Sequence, residues 1–191
     1  MIPSPQECLD IMHKYHMLDN IKAHSLMVAK VAYLITTAAV QNAPHISPSL
    51  VLAGALLHDI GKTEALRNGG DHVKIGQEIC RIEGLAEVVP IVAEHVVLKS
   101  FTEDRKITAI EIVYYADKRV NHDEIVPLEK RLEYILERYA CGNPRLEDLI
   151  IRNFNVCKQV DAKLFRCLDF EPSGIERLAP VVKLPFDGQR H

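Results

Sequence analysis

An all-α fold is what the sequence predicts, and three observations predict it. Apolar residues recur at intervals of three and four, and strand-like alternation is hard to find. Ser-Pro, Asp and Gly-Asn-Pro signals punctuate the periodic stretches where helices begin and end. The composition is that of an ordinary globular chain, with 48% apolar and 26% charged residues in 191, enough to bury one core in one domain.

The elements follow in order. Ser4-Pro5 followed by Glu7 is a capping start for a helix to about Leu18. A second helix is predicted from about Asn20 to Val40, with Ile21, His24, Val28, Val31 and Ile35 on one stripe. Ser47-Pro48 opens a third, whose body VLAGALL is apolar all round and belongs in the middle of a bundle. Gly61 stops it, and Arg67 to Gly70 reads as a loop. Asp71 caps a helix that carries His72, Ile75, Ile79 and Ile82 on one face. Helices are expected from about Ala86 to Lys99, with Val88, Ile91, Val92, His95 and Leu98 inward, and from about Asp104 to Val120, with Ala109, Ile112, Val113, Ala116, Asp117 and Val120 inward. Pro127 opens one more to about Tyr139, and Gly142-Asn143-Pro144 precedes a long one to about Leu168. Pro172, Gly174, Pro180, Pro185 and Gly188 predict an extended or partly disordered tail over 169–191, leaving one domain over 1–168.

The formal net charge is −3 with no dense basic block, so neither nucleic acid nor a membrane is an expected partner. Cys8, Cys80, Cys141, Cys157 and Cys167 are odd in number and form no CxxC pair, which reads as reduced thiols in the cytoplasm. The longest apolar run, Leu50 to Leu57, falls far short of the ~20 residues of a membrane span. The opening MIPSPQECLD lacks the basic-then-apolar order of a signal peptide.

Chemistry enters through the histidines. His24, His58-Asp59, His72, His95 and Asp117 all fall on apolar stripes. Taken singly, each reads as a hydrogen-bonded core histidine or a salt-bridged aspartate. Together they place imidazoles and carboxylates inward from five helices, and burying such groups without partners is costly. One cluster of metal ions satisfies them all, and this donor set suits Mn, Fe, Co, Ni or Zn better than Ca. His58 and Asp59 are neighbours, and neighbours on a helix diverge by about 100°. At a helix end, where Gly61 relaxes the backbone, both can turn to one centre, and the acid can bridge two ions.

The order H…HD…D, as His24, His58, Asp59 and Asp117, resembles that of the HD superfamily of metal-dependent phosphohydrolases. The stretches AHSLMVAKVA, LAGALLHDIGK and EIVYYADK look like that family, and the resemblance covers about residues 20 to 140. It implies a helical bundle that holds one or two divalent ions (Mn, Fe, Co, Ni, Zn or Mg) on those four residues. His72, in the segment His72-Val-Lys-Ile-Gly76, and His95 would complete a second site. The implied reaction is attack by metal-activated hydroxide on a phosphate ester or anhydride of a nucleotide-like small molecule. Asp59 and Lys62 are the candidate catalytic residues, and Lys62, Lys118 and Arg119 the candidate phosphate contacts. Glu64 and Glu94 are further candidates to orient water, Glu64 being expected at the surface.

Two departures narrow the field. No GYP tripeptide follows His95, and Glu94 stands where cyclic-dinucleotide phosphodiesterases similar to this chain carry another histidine. Lys62 stands where similar 5′-nucleotidases and alarmone hydrolases place an acid. Size and layout look closest to small stand-alone HDIG proteins, including symmetrical diadenosine tetraphosphate hydrolases. His13, His16, His45, His122 and His191 are expected at the surface or in caps, and LEKRLEYILER from Leu128 as a solvated face. The same six ligands also resemble those of HD-type di-iron oxygenases, and a nucleotide-sensing module without turnover is a third reading. A second copy of the chain is left open as a partner.

Overall fold

The computed structural model describes residues 1–186, so His191 and Gly188 lie outside the described residues. Helix α1 (Pro5–Lys14) starts at the foreseen cap: Glu7 N donates to Ser4 Oγ at 3.3 Å, and Ser4 N to Glu7 Oε2 at 2.7 Å. It ends before the expected Leu18, because His16 takes a left-handed φ of 50° and turns the chain into the next helix. Helices α2 (Asp19–Ala39) and α3 (Pro48–Leu57) fall where expected, and α3 is buried from Val51 to Leu57 on every side.

The chain does not pass straight into a loop after Gly61. It turns over His58–Gly61 and re-enters helix as α4 (Lys62–Asn68), which Gly69 and Gly70 end with φ of 81° and 101°. Helix α5 (His72–Ile82) starts at Asp71, whose carboxylate accepts from Val73 N at 2.9 Å. Ile82, expected inward, is 67% exposed, because the helix has run past the core by its last residue. Helix α6 (Val89–Glu94) is shorter than the expected span. Glu94 Oε2 folds over its end and accepts from Lys99 N and Ser100 N, both at 2.8 Å. Helix α7 (Ala109–Lys118) begins later than Asp104, since Thr108 and Glu111 form the capping box that fixes its start.

A hairpin of β1 (Val120–Asn121) and β2 (Glu124–Ile125) follows, with Val120 opposite Ile125. Strands of two residues are too short to leave an alternating pattern. Helix α8 (Leu128–Ile135) runs into a π-helical turn over Leu136–Ala140, and α9 (Pro144–Phe165) is capped by Asn143.

The described part of the tail is not extended. Two 3₁₀ turns flank α10 (Ile175–Leu178), and Ile175, Ala179 and Leu184 are buried. Apolar residues at helical spacing outweigh the proline and glycine content there. Arg119 anchors the segment, donating from Nη1 to Pro172 O at 3.0 Å and from Nη2 to Glu176 Oε1 at 3.1 Å.

Helices α2, α3 and α7 pack on one another at the centre, α5 and α6 close one side, and α9 lies across α7 and α8. Lys163 of α9 pairs with Glu111 of α7 at 2.6 Å, both buried. Among the described residues, no helix is long and apolar enough to cross a membrane.

Candidate metal centre

Five elements deliver six side chains to one place. His24 comes from the first half of α2, His58 and Asp59 from the turn after α3, and His72 from the first residue of α5. His95 follows α6, and Asp117 comes from the last turn of α7. All but His72 are buried, and His72 is 30% exposed at its side chain.

The six fall into two groups that share Asp59. Its Oδ2 lies 3.6 Å from His58 Nε2 and 4.0 Å from His24 Nε2. Asp117 Oδ1 joins that group, 3.0 Å from His24 Nε2 and 3.7 Å from His58 Nε2. Asp59 Oδ1 faces the other way, 3.5 Å from His95 Nε2 and 3.7 Å from His72 Nε2, and those two nitrogens are 3.3 Å apart. Donor atoms bound at ~2.0–2.2 Å around one ion stand ~3–4 Å from one another, so these separations are of the size an ion requires.

Proton positions support the same fit. His24 Nδ1 donates to His122 O at 2.7 Å, His58 Nδ1 to Ala55 O at 2.7 Å, and His95 Nδ1 to Val92 O at 2.8 Å. In the neutral form that binds a metal, each of the three imidazoles, donating from Nδ1, would present an Nε2 lone pair toward the carboxylates. His58 Nε2 is buried and has no hydrogen-bond partner. Acceptors facing acceptors are repulsive unless a cation lies between them, so the residues present fit a divalent ion.

Electrostatics act on four of the six, His58, His72, Asp59 and Asp117. Burial pushes the His58 imidazole down to about 3, overriding the pull of Asp59 and Asp117. Burial also lowers His72. Burial by itself would raise both carboxyls. For Asp59 the neighbouring His58, His95 and Lys62 outweigh it, and for Asp117 Lys118, His24 and His58 do, so both lie well below the usual carboxylate range. Neutral imidazoles and ionised carboxylates are the forms that bind metal.

Gly61 does more than stop a helix. Its φ of −80° is open to any residue. A Cβ there, however, would overlap His72 O and Gly76 N, and a Cβ on Gly76 would stand 2.9 Å from Val92 Cγ1. The first turn of α5 thus rests directly on the backbone after Asp59, which brings His72 beside that carboxylate. Gly61→Ala is expected to push α5 away and cost about 3 kcal/mol of stability, a large overpacking penalty because backbone must move. Urea unfolding measures it, and an unchanged midpoint would refute the close-packing account.

The cations divide by geometry. Lys62 Nζ donates to Asp59 Oδ2 at 2.8 Å from the start of α4. Lys118 is buried and donates to Asp117 Oδ2 at 2.7 Å and to His95 O at 2.8 Å, leaving Asp117 Oδ1 for the histidine group. It therefore positions two of the six rather than reaching out as a free phosphate contact. Lys118→Met should weaken metal binding about 10–100-fold while secondary structure is kept, a change that competition with a chromophoric chelator reads.

Arg119, expected at phosphate, points elsewhere. Adjacent residues on a helix diverge, and its guanidinium is spent on Val126 O, Tyr115 Oη, Pro172 O and Glu176. Glu94 is occupied in capping the end of α6 rather than orienting water, and Glu64 is exposed as expected. His13, His16, His45 and His122 are exposed, as expected. The backbone carbonyl of His122 is nonetheless part of the centre, through His24.

The centre forms the floor of a cleft of about 570 Å³, into which Asp59, Lys62, His72, His95, Asp117 and Lys118 open. The run LEKRLEYILER is not simply a solvated face: its Arg131 and Ile135, with Tyr139 just beyond it, line the cleft. Their spacing of four is the signal that could have found them.

Comparison with known proteins agrees with this geometry. The HD-domain family model matches residues 21–121. A tRNA (cytidine(56)-2′-O)-methyltransferase of Thermoplasma volcanium is 38% identical over 97 residues, 50% of this chain and 27% of that protein. One of the same name from Picrophilus torridus is 28% identical over 181 residues, 88% of this chain and 49% of that protein. The chain thus spans about a quarter and about half of the two methyltransferases. An uncharacterized protein of Methanocaldococcus jannaschii is 25% identical over 148 residues, 71% of this chain and 86% of that protein. No solved structure matches the chain. With the family model covering more than half of its length, and the H…HD…D residues gathered at one centre, the chain belongs to the HD-domain family, a superfamily of metal-dependent hydrolases.

Proposed function

We propose that this protein is a metal-dependent phosphohydrolase that cleaves a phosphate ester or anhydride of a small molecule of about nucleotide size. The observation that carries the reading is the pair of donor groups sharing Asp59, with Lys62 at their edge and a cleft above them. His24, His58, Asp59 Oδ2 and Asp117 Oδ1 would hold one ion, and Asp59 Oδ1, His72 and His95 a second. A bound divalent ion supplies Lewis-acid polarisation and a nucleophilic hydroxide at neutral pH.

The chain's own residues do the rest. Asp59 fixes the spacing of the two groups, and the three carbonyl-anchored imidazoles need no reorganisation to bind. Lys62 sets an ammonium beside the floor of the cleft, where negative charge grows on the phosphoryl oxygens. Water's oxygen bonds to phosphorus as the P–O bond to the leaving group breaks. The leaving oxygen keeps that electron pair and takes up a proton.

The five cysteines are free thiols, which supports a reducing, cytoplasmic setting. The methyltransferase activity in the names of two relatives belongs to chains of which this one covers at most half. The test is phosphate release from nucleotides, dinucleoside polyphosphates, cyclic nucleotides and simple esters with Mn, Fe, Co, Ni and Mg. Release from at least one class, dependent on metal, is expected. No release with any metal would refute the reading, and oxygen uptake by the iron-loaded protein in its place would indicate oxygenation.

A further inference from the structure

Above its polar floor the cleft changes character. Leu66 of α4, Val97 after α6, Tyr139 of the π turn, and Leu146 and Leu149 of α9 converge on its mouth. These five are between 42% and 65% exposed. Large apolar side chains scattered singly over a surface need no explanation, but five from four segments around one cavity form a patch.

Polar groups are few in this wall: Tyr139 Oη, Asn153 and Arg131. Asn153 Nδ2 donates to Val96 O at 2.9 Å, and Asn153 Oδ1 accepts from Tyr114 Oη at 2.9 Å. Each end of that amide is thus half occupied, keeping one N–H and one lone pair. Arg131 Nη1 donates to Asn121 Oδ1 at 2.8 Å, while its Nε is buried without a partner. Arg131 adds a cation to the cleft beside Lys62 and Lys118, but cations recognise phosphate oxygens and not hydrocarbon. A polyhydroxylated alcohol laid against the wall would lose its water and find little in return.

We propose that the substrate is a phosphate monoester of an apolar alcohol, with the phosphate on the metal-and-lysine floor and the hydrocarbon part against Leu66, Val97, Tyr139, Leu146 and Leu149. The proposal rests on the phosphohydrolase reading and names the leaving group for it. Continuity of the patch with the floor, in one cavity of about 570 Å³, assigns it to the substrate rather than to a second copy of the chain.

Straight-chain alkyl phosphates from ethyl to octyl test it on the metal-loaded protein, beside ribose 5-phosphate and adenosine 5′-monophosphate. Each added methylene should raise kcat/KM about two- to four-fold until the wall is covered, the range set by how completely each group is buried. Alkylphosphonates, which cannot be hydrolysed, should bind with the same slope in calorimetry. Leu149→Gln, a change at an exposed position, should flatten both slopes.

Flat slopes with hydrolysis intact, or a nucleotide turned over faster than octyl phosphate, would overturn the proposal and leave the phosphohydrolase reading standing. So would a dimer in sedimentation that Leu149→Gln dissociates, if it came with flat slopes. Failure to release phosphate from these esters and from the nucleotides and dinucleoside polyphosphates alike would overturn the phosphohydrolase reading instead, and the phosphonate slope would still decide what the wall binds.

Discussion

Asp59→Ala is expected to lose most of its bound metal and to hydrolyse substrate roughly 10³-fold more slowly or worse, a loss of several kcal/mol of transition-state stabilisation. The reason is the position of one carboxylate. Asp59 alone among the six faces both groups, with Oδ2 toward His24 and His58 and Oδ1 toward His72 and His95. Removing it leaves two imidazoles and Asp117 on one side and two imidazoles on the other, each short of a charged ligand. A readout independent of turnover exists. Metal that binds only the folded chain at 100 times its Kd stabilises it by about 2.7 kcal/mol. The parent protein should therefore melt higher with metal than without, and Asp59→Ala should show almost no difference. Asp59→Asn keeps the shape but halves the acceptor capacity and removes the charge, and should fall between the two. If Asp59→Ala keeps both its metal-dependent rise in Tm and its activity, the proposed ligand set is wrong.

The floor of this site was legible because its residues carry their chemistry in their types. An imidazole or carboxylate on an apolar stripe is an anomaly, and His24, His58, Asp59, His72, His95 and Asp117 were six such anomalies that the fold brings together. Helix starts are legible where a side chain does the capping, at Ser4, Ser47, Asp71 and Asn143, whereas the sequence places the start of α7 at about Asp104, ahead of its Thr108 cap. What stayed hidden depends on backbone and on distance. The carbonyls of Ala55, Val92 and His122 orient three imidazoles, yet every residue has a carbonyl and none announces which way it points. Gly61 is legible as a helix stop but not as a contact, because close approach of two segments is a fact of packing. Arg119 and Lys118 are neighbours, and only the register of α7 sends one to the tail and the other to the metal centre. The amphipathic α8 reads in sequence as a solvated face, because its inner stripe, with Arg131 and Ile135, faces a cavity rather than the core.

Lys62 separates two roles that the geometry places within one hydrogen bond of each other. Its ammonium pairs with Asp59 Oδ2 at 2.8 Å, is half-buried, and lines the cleft beside the floor. Burial disfavours the charge, but Asp59 outweighs burial and holds the lysine above its usual range, so it is cationic throughout the neutral region. As a partner of Asp59 alone, it would compete for the oxygen that faces His24 and His58, and its removal would strengthen metal binding without slowing the reaction. As a contact to phosphoryl oxygens, it would matter most when charge accumulates on them, and its removal would slow the reaction at full metal occupancy. We expect the second result: Lys62→Ala should lower kcat by ~10²–10³ with metal content unchanged, since the interaction is made mainly in the transition state. Lys62→Arg keeps the charge on a longer, planar head and should recover part of the loss. Unchanged phosphatase kinetics in Lys62→Ala, or tighter metal binding with the same kcat, would make the lysine a counter-ion to Asp59 and nothing more.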